Sequence, residues 1–112
     1  MKSIIARFAP SPTGQLHIGG IRTALINYIY VEKNKKKFPN SKLLIRIEDT
    51  DKIRSKEEYT QNIIKNLKWI GIKWDEEIVI QSQRIKRHKE IALKLLNIGM
   101  AFKCVCKFED LE

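Results

Sequence analysis

The spacing of apolar residues switches between strand and helix along the first half of this chain. Residues 3 to 9 form a short apolar run rich in β-branched side chains, which fits a strand. Ile18, Ile21, Leu25 and Ile29 then recur at helical spacing and predict a helix over about 17–33. Lys42-Leu43-Leu44-Ile45-Arg46-Ile47-Glu48 predicts a second strand. A strand, a helix and a strand in that order form a unit with parallel strands and a right-handed crossover. The chain is therefore read as α/β, the first half of a Rossmann-like doubly wound parallel sheet.

The second half reads as helices with end signals. Ser55-Lys56-Glu57-Glu58 has the form of a capping box and opens a helix carrying Tyr59, Ile63, Leu67 and Ile70 on one face, with Gly71 as its stop. Ser82 is the predicted cap of a third helix with an inward stripe of Ile85, Ile91, Leu95 and Ile98 and an end at Gly99. Phe102 to Cys106 alternates like an edge strand.

Composition narrows this picture. The 112 residues suit one domain or part of one, and the formal charge of +9 suits a polyanionic partner, although solvated lysines explain it equally well. No apolar run reaches the roughly 20 residues of a membrane span, and Arg7 interrupts the start before a leader-like core can form, so no membrane partner and a cytoplasmic location are expected. Cys104 and Cys106 are one residue apart, a spacing unsuited to an intrachain disulfide and consistent with a reducing compartment.

The chemistry concentrates between the first strand and the first helix, in Arg7-Phe8-Ala9-Pro10-Ser11-Pro12-Thr13-Gly14-Gln15-Leu16-His17-Ile18-Gly19-Gly20. Prolines and a glycine shape a loop, and a helix start beside a histidine and paired glycines favours an anion. In a doubly wound fold the ligand sits beyond the carboxyl ends of the strands, where this loop and the segment after Glu48 both fall. This string, with Arg22-Thr23-Ala24-Leu25 and Arg46-Ile47-Glu48-Asp49-Thr50-Asp51, resembles the bacterial glutamyl-tRNA synthetases, class I aminoacyl-tRNA synthetases. The resemblance runs along residues 1–112 and implies the amino-terminal part of their catalytic domain, without the downstream half or an anticodon-binding region.

By resemblance, His17-Ile18-Gly19-Gly20 corresponds to the class I "HIGH" signature, with glycine at the fourth position as in many bacterial glutamate enzymes. The resemblance implies an ATP site over Pro10, Ser11, Pro12, Thr13, Gly14, Gln15, Leu16, His17, Ile18, Gly19 and Gly20, with His17 as the catalytic contact to the phosphates. It implies a glutamate site of Arg7, Ala9, Ser11 and Glu48. An arginine fork suits a side-chain carboxylate, and Glu48 suits an α-ammonium group. The implied reaction activates glutamate with ATP, brought as its magnesium complex, and transfers it to the 3′ end of tRNA(Glu), with tRNA(Gln) open as a second acceptor. The full-length enzyme is expected to be a monomer, and this chain alone is expected to be inactive.

Other readings bound that expectation. A relative that glutamylates queuosine in tRNA(Asp) shares the class, but Ile21-Arg22-Thr23-Ala24-Leu25 and Glu48-Asp49-Thr50-Asp51 favour the ordinary ligase. A non-catalytic nucleotide- or RNA-binding fragment is the alternative of a different class. Cys104 and Cys106 resemble half of a zinc site, yet structural zinc needs four ligands, so zinc is not expected here. Asp49 and Asp51 read as turn residues rather than metal ligands. Residues 82 to 99 hold Arg84, Lys86, Arg87, Lys89 and Lys94 against Glu90, a basic helix best read as a solvated face. Lys35-Lys36-Lys37 with Phe38-Pro39-Asn40-Ser41 reads as a surface insertion.

Overall fold

Alternation along the second strand sets the architecture. In the computed structural model, which describes residues 2–107 and 109, Leu43, Ile45 and Ile47 are buried while Lys42, Leu44 and Arg46 are only half-buried. This strand, β2 (Lys42–Ile47), pairs in parallel with β1 (Ile5–Phe8), placing Arg7 opposite Leu44 and Phe8 opposite Ile45. On its other side it pairs in parallel with β3 (Val79–Ile80), so the sheet order is β1-β2-β3. The sequence reading missed β3, because two residues carry no period.

Helices α1 (Ile18–Lys35) and α2 (Glu57–Ile70) both pack on the face that carries Phe8, Leu43, Ile45 and Ile47. Ala24, Val31, Ile63 and Leu67 complete that core. Successive right-handed crossovers moving in one direction across a sheet must put their helices on the same face. The opposite face, bearing Ile5, Arg7, Leu44 and Arg46, is left open among the described residues.

The buried seam of α1 differs from the expected stripe. Ile18 is 79% exposed and Ile29 is also exposed, whereas Ala24 and Val31 are fully buried with Leu25 and Tyr28 partly covered. Small residues explain the rotation: Gly20 faces the Phe8 ring and Ala24 lies one turn on, so the helix approaches the sheet along its least bulky side.

The expected capping box is also absent. Helix α2 begins at Glu57 after Lys56, with no side-chain cap, and the Ser55 hydroxyl is buried without a hydrogen-bond partner among the described residues. The backbone there is committed elsewhere: Ser55 N–H donates to Asp51 O at 2.9 Å and Lys56 N–H to Pro12 O at 3.1 Å. The stop at Gly71 is as expected, with φ of 87° and Ile72 N–H donating back to Leu67 O at 3.0 Å.

Helix α3 (Ile85–Asn97) follows a short 3-10 turn over Gln81–Arg84 and ends at Gly99, φ 73°. Its predicted stripe does not point inward: Ile85, Ile91, Leu95 and Ile98 are all exposed, and no α3 residue is buried. Ser82 does not cap the helix either, because its hydroxyl donates to Asp49. The expected edge strand at Phe102–Cys106 is not formed; these residues are exposed and have no strand partner among the described residues. The segment at 36–41 is better anchored than a loose insertion would be. Ser41 is buried and accepts from Ile4 N–H at 3.0 Å, and Lys2 and Lys37 flank the Phe38 ring.

Asp75 ties the lower edge of the fold together. It accepts from Leu43 N–H at 2.8 Å and from Lys35 Nζ at 2.9 Å, and its own N–H donates to Leu43 O at 3.0 Å. Burial opposes its ionisation most strongly, but the Lys35 and Leu43 hydrogen bonds outweigh it and hold the carboxyl below its ordinary 3.8. A lowered folded value means that the stabilisation is complete above the unfolded pKa and is lost as pH falls through the folded one. Asp75→Ala should therefore lower unfolding stability by about 1–2 kcal/mol at neutral pH. In urea titrations the deficit should shrink under acid; a deficit independent of pH would contradict this role.

Candidate functional site

The loop from β1 to α1 is pinned at several points by elements distant in sequence. Glu48 N–H donates to Pro10 O at 2.9 Å, Lys56 N–H to Pro12 O at 3.1 Å, and Leu16 N–H to the Asn62 side-chain oxygen at 3.0 Å. Prolines offer no N–H, so this loop is held largely through its carbonyls. The end of β2 and the first half of α2 thus fix its shape.

His17 stands at the start of α1 in an extended conformation, and its Nδ1 accepts from Gly19 N–H at 3.2 Å. An accepting Nδ1 leaves the ring's N–H donor on Nε2. The first turn of α1 contains no acidic residue, so nothing there offsets its positive end. The glycines serve close approach. A Cβ on Gly19 would lie 3.0 Å from His17 Cε1, and one on Gly20 only 2.7 Å from Leu16 Cδ1.

These parts border a cavity of about 290 Å³ lined by Phe8, Pro10, Ser11, Thr13, Gly14, Gln15, Leu16, His17, Gly20 and Ile63. The volume lies at the lower edge of small-molecule sites, enough for a phosphate-bearing group rather than an enclosed nucleotide. Eight of the eleven residues expected to bind nucleotide line it. Pro12 is buried where its carbonyl anchors the loop, Ile18 faces outward, and Gly19 is turned to His17.

The residues expected to bind an amino acid lie elsewhere, except Ser11. Arg7 alternates with buried Phe8 and so projects from the open face, where it forms no hydrogen bond or ion pair among the described residues. Ala9 is partly covered between the two sides. Glu48 is half-buried just past β2, and Arg46 holds its carboxylate through Nε at 3.1 Å and through Nη2. The structure therefore places the cavity on the helix side of the sheet and the Arg46–Glu48 pair on the open face, which Arg7 shares two residues back from the Arg46 register.

The neighbouring acids serve structure. Asp49 accepts from Ser82 N–H at 2.8 Å and Ser82 Oγ at 2.5 Å; burial works against its charge, but these bonds hold its carboxyl below the ordinary value. Asp51 accepts from Ile53 and Arg54 N–H groups and pairs with the Arg54 guanidinium. Among the described residues no group of three or more His, Cys, Asp or Glu side chains is placed to hold a metal. Cys104 and Cys106 are free and exposed, with backbone and side-chain hydrogen bonding from Cys106 lowering the Cys104 thiol below its usual pKa. The cations of α3 are exposed as expected, with Arg87 reaching Glu90 at 3.7 Å.

Sequence reasoning missed Asn62, Ile63 and Phe8 as parts of the site. Asn62 left one signal, since a short amide inside a helix is unfavourable without a specific partner. No described helix is long and apolar enough to cross a membrane.

The family described as "tRNA synthetases class I (E and Q), catalytic domain" matches residues 3–112. The glutamate–tRNA ligase of Prochlorococcus marinus (strain MIT 9211) is 51% identical over 109 residues, covering 97% of this chain and 22% of that protein. Glutamate–tRNA ligase 2 of Rickettsia bellii (strain OSU 85-389) is 52% identical over 110 residues, covering 98% and 23% respectively. A crystal structure of a glutamate tRNA ligase from Elizabethkingia meningosepticum, in complex with its amino acid, superimposes with a TM-score of 0.68 at 37% identity. That match covers 83% of this chain and 20% of the other. The chain thus spans about a fifth of the length of the curated relatives it matches.

Proposed function

Because this chain belongs to the class I tRNA synthetase (E and Q) catalytic-domain family, we propose that it supplies the ATP- and glutamate-facing part of a glutamate–tRNA ligase. Residues 1–112 are the amino-terminal part of the catalytic domain in this reading. The observation that carries it is the placement of His17 at the uncompensated start of α1, on a cavity sized for phosphates, with the Arg46–Glu48 pair and an unpaired Arg7 sharing the open face of the sheet among the described residues.

In the proposed reaction the glutamate α-carboxylate attacks the α-phosphorus of ATP, and pyrophosphate leaves. The protein's task is to orient two anions and to neutralise developing charge. His17 Nε2–H and the amides opening α1 donate to phosphate oxygens, while Thr13, Gly14 and Gln15 border the nucleotide. Arg7 grips the side-chain carboxylate, with Ala9 and Ser11 beside it, and Glu48 accepts from the ammonium group. Magnesium accompanies ATP as part of the substrate. The acyl acceptor is tRNA(Glu).

A cavity and an ion pair on opposite faces of one sheet do not enclose a substrate, so the 112 residues alone should not charge tRNA. A graft in which they replace the aligned segment of the Prochlorococcus marinus ligase should charge it with glutamate. Robust charging by the isolated chain, or a folded graft that is silent, would each contradict this reading.

A further inference from the structure

The open face of the sheet carries a charge arrangement that the sequence motif does not disclose. Arg46 and Glu48 are two residues apart on one extended stretch, so both project from the same face, and Arg46 reaches forward along its own strand. Its Nε and Nη2 both donate to Glu48 Oε1, and each side chain remains 32% exposed. Glu48 Oε2 takes no hydrogen bond among the described residues. The Glu48 backbone is fixed independently by its N–H bond to Pro10 O. The carboxylate is thus tethered through Oε1, while Oε2 stays open among the described residues.

Arg7 shares this face, in register with Leu44, and has no ionic partner among the described residues. Lys42, also on β2, is taken by Glu76 at 2.6 Å. Among the described residues, the Glu48 carboxylate on this face is taken by Arg46 and not by Arg7. Arg7 is left uncompensated, the state a guanidinium needs if it is to bind an incoming anion.

We propose that Arg46 is a positioning residue for amino-acid selection: it holds Glu48 with Oε1 occupied and Oε2 presented to the α-ammonium group. The proposal rests on the reading of Arg7 and Glu48 as the glutamate site. Arg46 does not touch the substrate itself. An arginine is required because only its fork can place two donors on one oxygen while its planar group stays in line with the strand; a lysine offers a point charge.

The test compares L-glutamate with glutarate, which keeps both carboxylates but lacks the amino group, by ligand-observed NMR titration of the chain grafted into the Prochlorococcus marinus ligase. The unsubstituted graft should prefer L-glutamate. Arg46→Met should reduce that preference about tenfold, by weakening glutamate and sparing glutarate. Adding Glu48→Gln to Arg46→Met should cause little further loss, and Arg46→Lys should recover only part of the preference. An Arg46→Met graft that retains full preference overturns the proposal while leaving the glutamate site intact. Equal loss of both ligands at an unchanged urea midpoint also overturns it, since Arg46 would then serve the site in general. A folded unsubstituted graft that binds neither compound overturns the glutamate-site reading, and this proposal with it.

Discussion

His17→Asn, introduced into the Prochlorococcus graft, is expected to slow glutamyl-adenylate formation about a hundredfold while leaving the KM for glutamate nearly unchanged. Asparagine is chosen because it is among the best residues at a helix start and should replace the cap that His17 Nδ1 provides to Gly19 N–H. The helix is thereby retained and the Nε2–H donor removed. Removing one preorganised donor to developing charge typically costs that much, and it acts on the rate because the donor matters most when pyrophosphate departs. His17→Ala would add a capping loss of about 1 kcal/mol to the same defect. Pre-steady-state adenylate formation, measured with tRNA present, separates the two. An unchanged rate in His17→Asn removes the imidazole from the chemistry.

The second large effect is on selection. Arg7→Ala should reduce kcat/KM for glutamate about a hundredfold and change that for glutamine little, so that the preference between them collapses. The estimate follows from losing a bidentate, charge-assisted contact worth about 3 kcal/mol. Folding should be spared, because Arg7 is exposed and makes no ion pair among the described residues. Arg7→Lys keeps the charge without the fork and should fall between. Competition between labelled glutamate and glutamine decides it; an Arg7→Ala graft that still prefers glutamate would move the selecting cation elsewhere.

What the sequence disclosed of this protein was mainly what local pattern can carry. The β1-α1-β2 unit was legible because strand-like runs flank a helical spacing and its loop carries Pro10 and Pro12, and Gly71 and Gly99 ended helices because positive φ is costly for other residues. The seam of α1 was misread because periodicity weighs bulk, whereas Gly20 and Ala24 won the buried side by being small. The Ser55 cap failed because the Lys56 amide was drawn to Pro12 O, a tertiary bond invisible to a four-residue motif. At α3 the amphipathic pattern was read correctly as a helix but wrongly as buried, since a stripe shows which face can pack and not whether anything lies against it.

The site divides in the same way. The motif placed His17 and Glu48 at the carboxyl ends of adjacent strands, as topology requires. It could not separate the phosphate-sized cavity from Arg7 and Glu48 on the open face, because which side of the sheet a residue occupies depends on strand alternation about Phe8 and Ile45. Asn62 holds the Leu16 amide from 46 residues away and Arg46 pairs with Glu48 two residues on, and neither spacing is a recognised motif.

The most direct measurement is the amino-acid specificity of the graft: purified protein, ATP, tRNA and labelled glutamate or glutamine, with acylated tRNA as the readout. Charging with glutamate at a rate near that of the parent ligase, with glutamine rejected, is the result this account predicts. A folded graft that discriminates poorly between the two amino acids, or that binds ATP without forming adenylate, would contradict the assignment of these residues to a glutamate-activating site.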